Sequence, residues 1–248
     1  MTTKIISEEI ARDMIQSGVI FGHKKSKTHP KMKRFISGTK NEIELLNPAT
    51  SWESLDTAMT FLEEVVSKGG VVLFAATTPP AKKIIETFAK EFSFPYVVTR
   101  WLGGTLTNFS VIKTRILHYE NLKEKKEKGA FDKYTKKEQH DFAEEIGKLS
   151  RFFVGFSFLK KLPEAVFLVD PEAHDTAVRE AKKLSIPVVA IIDTNDDPSK
   201  IDYPIFASDH SVKSIEWVMA KVGDAIRRGK TVVREKAAVA TAPAPSEE

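Results

Sequence analysis

The sequence predicts an α/β fold, a parallel sheet flanked by helices and interrupted by an inserted antiparallel helical hairpin. Three observations carry this. Residues 71–76 and 186–192 are continuous apolar runs, the pattern of strands covered on both faces. Such runs alternate with amphipathic stretches, as in a chain that crosses back over its own sheet. Residues 106–160 then separate the second strand from the third, far too many for one crossover helix.

Taken in order, residues 7–17 form a short helix with Ser7 as N-cap and Gly18 just past its end. A basic segment, 22–40, follows as a loop with a short strand at 34–37. Thr50, Ser51, Trp52 and Glu53 read as a capping box, and Trp52, Leu55, Met59, Leu62 and Val66 continue at helical spacing until Gly69 and Gly70. The strand at 71–76 leads to Pro79 and Pro80, which open a helix to about residue 91. Residues 96–99 are the next strand. In the insertion, Leu106, Phe109, Ile112, Ile116 and Tyr119 make one apolar stripe. Phe142, Ile146, Leu149, Phe153 and Phe156 make another, with Gly129 between the stripes and a capping box from Thr135 to Glu138. Strands at 165–169, 186–192 and 204–206 alternate with helices at 175–184 and 212–228. The domain reading is a body of 1–105 and 161–230, a hairpin of 106–160 and a disordered tail of 231–248, whose Ala, Pro, Ser and Glu lack periodicity.

Charge is clustered. The whole chain carries a formal +4, but residues 22–40 hold seven cations and no acid: Lys24, Lys25, Lys27, Lys31, Lys33, Arg34 and Lys40. A second run, 221–236, holds six cations against Asp224 and Glu235. Uncompensated positive charge is the footprint of a polyanion. Pro30, Met32 and Phe35 among the lysines indicate an ordered segment. The absence of cysteine excludes disulfides and thiolate metal sites. No apolar stretch is long enough to span a bilayer and no signal-type leader opens the chain, so a cytoplasmic protein without a membrane partner is expected.

Catalytic classes find little support. The turn after the first central strand, 75–80, has no glycine, and its prolines remove N–H donors that a phosphate needs. No serine sits in a nucleophile elbow, and His118, His140 and His174 stand apart, each expected at the surface. The richest stretch is 100–108. Arg100 and Trp101 offer a guanidinium and a flat ring suited to phosphate and base. Gly103 and Gly104 permit close approach, and Asn108 adds an amide. The competing reading makes Trp101 a core filler at a domain junction. No cofactor is expected. A divalent ion, magnesium or zinc, could be held by His23, Asp193, Asp197 and Asp209. The blander reading, which we prefer, has Asp193 and Asp197 capping turns and Asp209 capping the last helix.

Several motifs occur together and in order: Phe21-Gly22-His23-Lys24, Pro30-Lys31-Met32-Lys33, Arg100-Trp101-Leu102-Gly103-Gly104 with Thr107-Asn108, Leu162-Pro163-Glu164-Ala165, Ile186-Pro187-Val188 and Asp193-Thr194-Asn195. They resemble small-subunit ribosomal protein two of the bacterial type, over about residues 7–230. Ile20, the 76–80 turn and Ser208-Asp209-His210 depart from the family's usual residues, although Asp209 is kept. The resemblance implies a flavodoxin-like body with a coiled-coil hairpin and no catalytic role. It also implies binding to small-subunit ribosomal RNA between head and body, and help in recruiting ribosomal protein one. The RNA contacts expected are Lys24, Lys25, Lys27, Lys31, Lys33, Arg34, Arg100, Trp101, Gly103, Gly104 and Asn108. No homo-oligomer is expected. The rival readings are a metal-dependent α/β enzyme and an adaptor that works through the hairpin without RNA.

Overall fold

The computed structural model describes residues 6–156 and 158–241. Five parallel strands, β4 (Val72–Ala75), β5 (Tyr96–Val97), β6 (Ala165–Val169), β7 (Val188–Ile192) and β8 (Tyr203–Phe206), form one sheet in the order β5-β4-β6-β7-β8. The order reverses at β4, as in flavodoxin-like sheets. Every residue of β4, β6 and β7 is buried. This is why their sequences run apolar without alternation.

Alternate strand residues feed two cores. Phe74, Phe167, Val169, Val189 and Ile191 pack on one side with α2 (Pro48–Ser67), α3 (Pro79–Glu91) and α7 (Val212–Thr241). Leu73, Ala75, Val166, Leu168, Val188 and Ala190 pack on the other with α6 (Asp175–Lys183) and the roots of α4 (Phe109–Glu127) and α5 (Lys136–Phe153). Leu106, Ile112 and Ile116 are buried in that second core. The helical pair is therefore rooted in the sheet's covering layer. Beyond the root its helices pair through His118 and Glu145, 3.0 Å apart, and Phe131 of the connecting turn stacks on Phe142 of α5, 4.4 Å between centroids. The Thr135–Glu138 capping box has both reciprocal hydrogen bonds, and Gly129 takes a φ of +66° in the turn.

α1 (Glu8–Gln16) is capped by Ser7 as its sequence indicates. A second sheet was not anticipated. β1 (Phe21–Lys24), β2 (Ile36–Lys40) and β3 (Ile43–Leu46) pair antiparallel in the order β1-β3-β2. Asn41 and Glu42 both take positive φ, 50° and 64°, and make its hairpin turn. An Asn-Glu pair lacks the glycine that usually announces such a turn. The expected strand at 34–37 begins at Ile36, because residues Pro30–Phe35 coil into a tight helical turn.

Two ends differ from expectation. α2 starts at Pro48, not at the Thr50–Glu53 box. Asn47 caps it, its side chain accepting from Ala49 N at 3.0 Å, with proline preorganised in the first turn. α7 runs on to Thr241, where a disordered tail was expected from 231. Residues 231–241 contain no proline or glycine, so nothing in that stretch stops the helix. Residues 242–248 lie outside the described residues.

Candidate nucleic-acid interface

The basic segment is fixed to the sheet. His29 N donates to Thr194 O at 2.8 Å, Lys25 N to Glu42 O at 2.8 Å, and Asn47 N to Phe35 O at 2.9 Å. Met32 is fully buried, and Phe35 stacks on Phe206 at 4.2 Å. These anchors hold the backbone while the cationic side chains point outward. Lys31 meets a carboxylate: its Nζ lies 3.0 Å from Asp197 Oδ2 and 2.6 Å from Ser199 Oγ. Among the described residues, Lys24, Lys25, Lys27, Lys33, Arg34 and Lys40 are exposed and have no carboxylate within ion-pair distance. Arg34 lies over the Phe35 ring at 4.5 Å, which holds its guanidinium at the surface.

The second basic run is different. Arg227 bonds Glu91 and Asp224, each at 2.9 Å, and Arg228 bonds Glu63 at 2.7 Å. Lys230 donates to the Phe92 carbonyl at 2.5 Å and lies over Phe94. These cations staple α7 to α2 and α3. Arg227 and Arg228, uncompensated along the chain, are thus met by carboxylates in space, Lys221 lies over the Trp217 ring, and the side chains of Arg234 and Lys236 lie outside the described residues.

At the 100–108 junction, Arg100, Gly103 and Asn108 are exposed. Trp101 is 8% exposed, its ring lies in the second core, and its indole N–H donates to Glu180 at 3.2 Å. It cannot offer a face to a base, so the expectation of a Trp101 RNA contact is corrected in favour of the core-filling reading. Gly104 takes a φ of +87°, and a Cβ on Gly103 would meet nothing within 4 Å. Glu180 was missed. It stands on the buried stripe of α6 with Ala177 and Ala181, and an acid on an apolar stripe is the signal that could have found it. Burial raises its pKa, but the N–H groups of Leu106, Gly104 and Thr107 and the Trp101 indole outweigh this and hold it below the usual range.

At the carboxyl end of the sheet, His23, Asp193 and Asp209 come together, joined by His210 and not by Asp197. One ligand atom from each of the four lies within 4.8 Å of the others. His210 Nδ1 is 3.0 Å from Asp193 Oδ2, and His23 Nε2 is 3.8 Å from both Asp193 and Asp209. Hydrogen bonds to Asp193 and then Asp209 push His210 up to about 10, and a hydrogen bond to Asp209 raises His23. Burial raises the neighbouring Asp196 to about 8, and the nearby carboxylates add to it. Asp197 turns away to Lys31 and caps the turn at Ser199, whose N it accepts at 3.0 Å. Asp209 does not cap α7. Ser211 stands there, its carbonyl accepting from Ile215 N at 3.0 Å. His174, expected at the surface, is 1% exposed and bonds the Asp170 carbonyl at 2.8 Å.

Gly22 explains why β1 can lie so close to this cluster. A Cβ there would collide with the Thr194 side chain, whose Oγ1 accepts from His23 N at 2.8 Å. Gly22→Ala is expected to cost about 1–3 kcal/mol in urea denaturation and to displace His23.

Fold and surface define an α/β protein that carries an anchored, exposed cationic segment, with prolines where a phosphate-binding turn would need N–H donors. Residues 14–229 match the family described as ribosomal protein S2. The chain is 39% identical to the small ribosomal subunit protein uS2 of Coprothermobacter proteolyticus, covering 88% of this chain and 82% of that one. It is 40% identical to the uS2 of Dictyoglomus thermophilum, over 92% and 93% of the two chains. For the uS2 of Rhodopirellula baltica the identity is 39%, over 94% and 90%. The chain belongs to the ribosomal protein S2 family, and as a member it is a structural, non-enzymatic protein. Among the described residues, no helix is long and apolar enough to cross a membrane.

Proposed function

We propose that this chain is a structural constituent of the small ribosomal subunit and binds small-subunit ribosomal RNA through its basic loop. One observation carries the reading. Six cations stand exposed along the anchored segment 22–40, and among the described residues no acid lies within ion-pair distance of them. A fixed cationic loop gives affinity and register on phosphates without reading sequence. Its relatives' name, small ribosomal subunit protein, supports the assembly. The finer placement follows the family resemblance: cytoplasmic ribosomes, a seat between head and body, and support for ribosomal protein one in translation. On that reading α4 and α5 form a coiled-coil arm and a second contact surface, and the chain acts as a single copy. Sucrose-gradient sedimentation of a cell extract tests it. The chain is expected in the small-subunit fraction, released by RNase, with subunits lacking it poor in ribosomal protein one. Partners kept after RNA digestion would favour the adaptor.

We also propose that His23, Asp193, Asp209 and His210 hold a divalent ion. Two imidazoles with two carboxylates are a donor set that suits zinc better than magnesium. Asp193 is fully buried and Asp209 nearly so, and the cluster's positive groups are two histidines that a metal can replace as counter-charge. When bound, the ion supplies a structural crosslink between β1 and the ends of β7 and β8. Zinc at a hundred times its Kd should raise stability by about 2.7 kcal/mol. His210→Ala should abolish that gain in thermal unfolding, and Asp197→Ala should keep it. The opposite pattern would refute the ligand set.

A further inference from the structure

We infer that Glu180 is the positioning residue of the 100–108 junction, a carboxylate held permanently in an anion nest made by the loop's own backbone. Five donors converge on its two oxygens. Oε1 accepts from the Trp101 indole at 3.2 Å and from Gly104 N at 2.8 Å. Oε2 accepts from Leu106 N at 2.9 Å, Thr107 N at 3.1 Å and Thr107 Oγ1 at 3.2 Å. Three convergent backbone N–H groups around a positive-φ glycine are the geometry that cradles phosphate elsewhere. Here the cradle is filled from within. Glu180 is 7% exposed, and among the described residues no lysine or arginine pairs with it. Its charge is met by three peptide N–H groups and two neutral side-chain donors, with the N-terminal end of α4 two residues beyond Thr107.

Two consequences follow for the interface. The amides of Gly104, Leu106 and Thr107 are committed, so RNA at this junction meets the outer edge, Arg100, Gly103 and Asn108. The loop from β5 to α4 is also tied across to α6, which fixes where Arg100 projects. An acid serving only to fill space would be replaced by glutamine without loss. Glutamine presents an amide –NH₂ to N–H donors and cannot satisfy both sets.

The consequence for RNA rests on the function proposed above, whereas the latch itself does not. The full-length chain and its Glu180→Gln and Thr107→Val variants are compared by amide hydrogen exchange, with the Trp101 indole resonance as a spectroscopic reporter. Binding to small-subunit particles depleted of this chain is measured in parallel. In Glu180→Gln, exchange at Gly104, Leu106 and Thr107 should quicken by about tenfold or more, with β6 and β7 amides unchanged. The indole resonance should shift, and affinity for the particles should fall roughly tenfold with a salt slope shallower by about one. Thr107→Val, which leaves the carboxylate and four donors, should stay near the parent. Protection retained at all three amides in Glu180→Gln would overturn the latch. Lost protection with unchanged affinity would overturn its positioning role while leaving the basic loop's role standing. If the parent chain itself failed to bind, the proposed function would fall, and the exchange data would still decide the latch.

Discussion

Lys33→Glu combined with Arg34→Glu will flatten the salt dependence of association with depleted small subunits by about two in the log–log slope and weaken it roughly ten- to hundredfold near 0.1 M salt. Each phosphate contact releases about 0.9 of a counterion, so two lost contacts set the change in slope. Among the described residues neither side chain has an ion-pair partner, so the stability of the isolated chain should barely move. Lys31 is a poorer choice. Its ammonium bridges to Asp197 and Ser199, so Lys31→Glu would set two carboxylates together and disturb the turn at Pro198. The run on α7 supplies the contrast. Arg227→Glu with Arg228→Glu removes the bonds to Glu91, Asp224 and Glu63, so stability should fall while the salt slope stays where it was. An unchanged slope in the Lys33/Arg34 variant, or a flattened one in the α7 variant, would reverse the assignment of the two basic runs.

Gly155→Ala is expected to be the most damaging small substitution, costing about 3 kcal/mol or more. Gly155 is buried with Phe156 in the turn Val154–Phe156, where the chain leaves α5 to return to the sheet. A Cβ there would run into the carbonyl oxygen of Tyr96 and lie 2.8 Å from its ring. The strand cannot yield. Phe74 N donates to Pro95 O at 3.0 Å and Ala76 N to Val97 O at 2.9 Å, so β5 is bonded to β4 on both sides of Tyr96. For a chain of this size that cost lowers Tm by roughly 10 °C, read by calorimetry. Gly147 is the matched control. It lies exposed in α5 and an added Cβ meets nothing within 4 Å, so Gly147→Ala should stabilise by up to about 1 kcal/mol through helix propensity. Equal effects at the two glycines would show that close approach at Gly155 does not matter.

Local signals were reliable where one segment settles its own structure. Ser7 and Thr135 cap because their side chains reach N–H groups of their own helices. The wholly buried β6 falls on the span its apolar run marks. Errors gathered where a nearby competitor won. Asn47 with Pro48 out-competed the Thr50–Glu53 box because it comes first in the chain and also caps. The three-stranded sheet went unread because its strands are short, β2 is largely exposed, and its turn uses Asn41 and Glu42. At the candidate site, residue types were legible and partners were not. His23, Asp193 and Asp209 were grouped from the sequence, yet Asp197 belonged to Lys31 and His210 to the cluster.

By itself the sequence determined the alternation of strands and helices, the helical insertion and the concentration of cations at 22–40, since each depends on spacing or local composition. Only tertiary structure decided which charges are paired, because an ion pair forms between residues far apart in the chain: Lys31 with Asp197, Arg228 with Glu63, and, among the described residues, six cations of the 22–40 segment with none. It also decided that Trp101 faces inward. An indole N–H can be buried only where an acceptor awaits it, and that acceptor, Glu180, stands seventy-nine residues further along the chain.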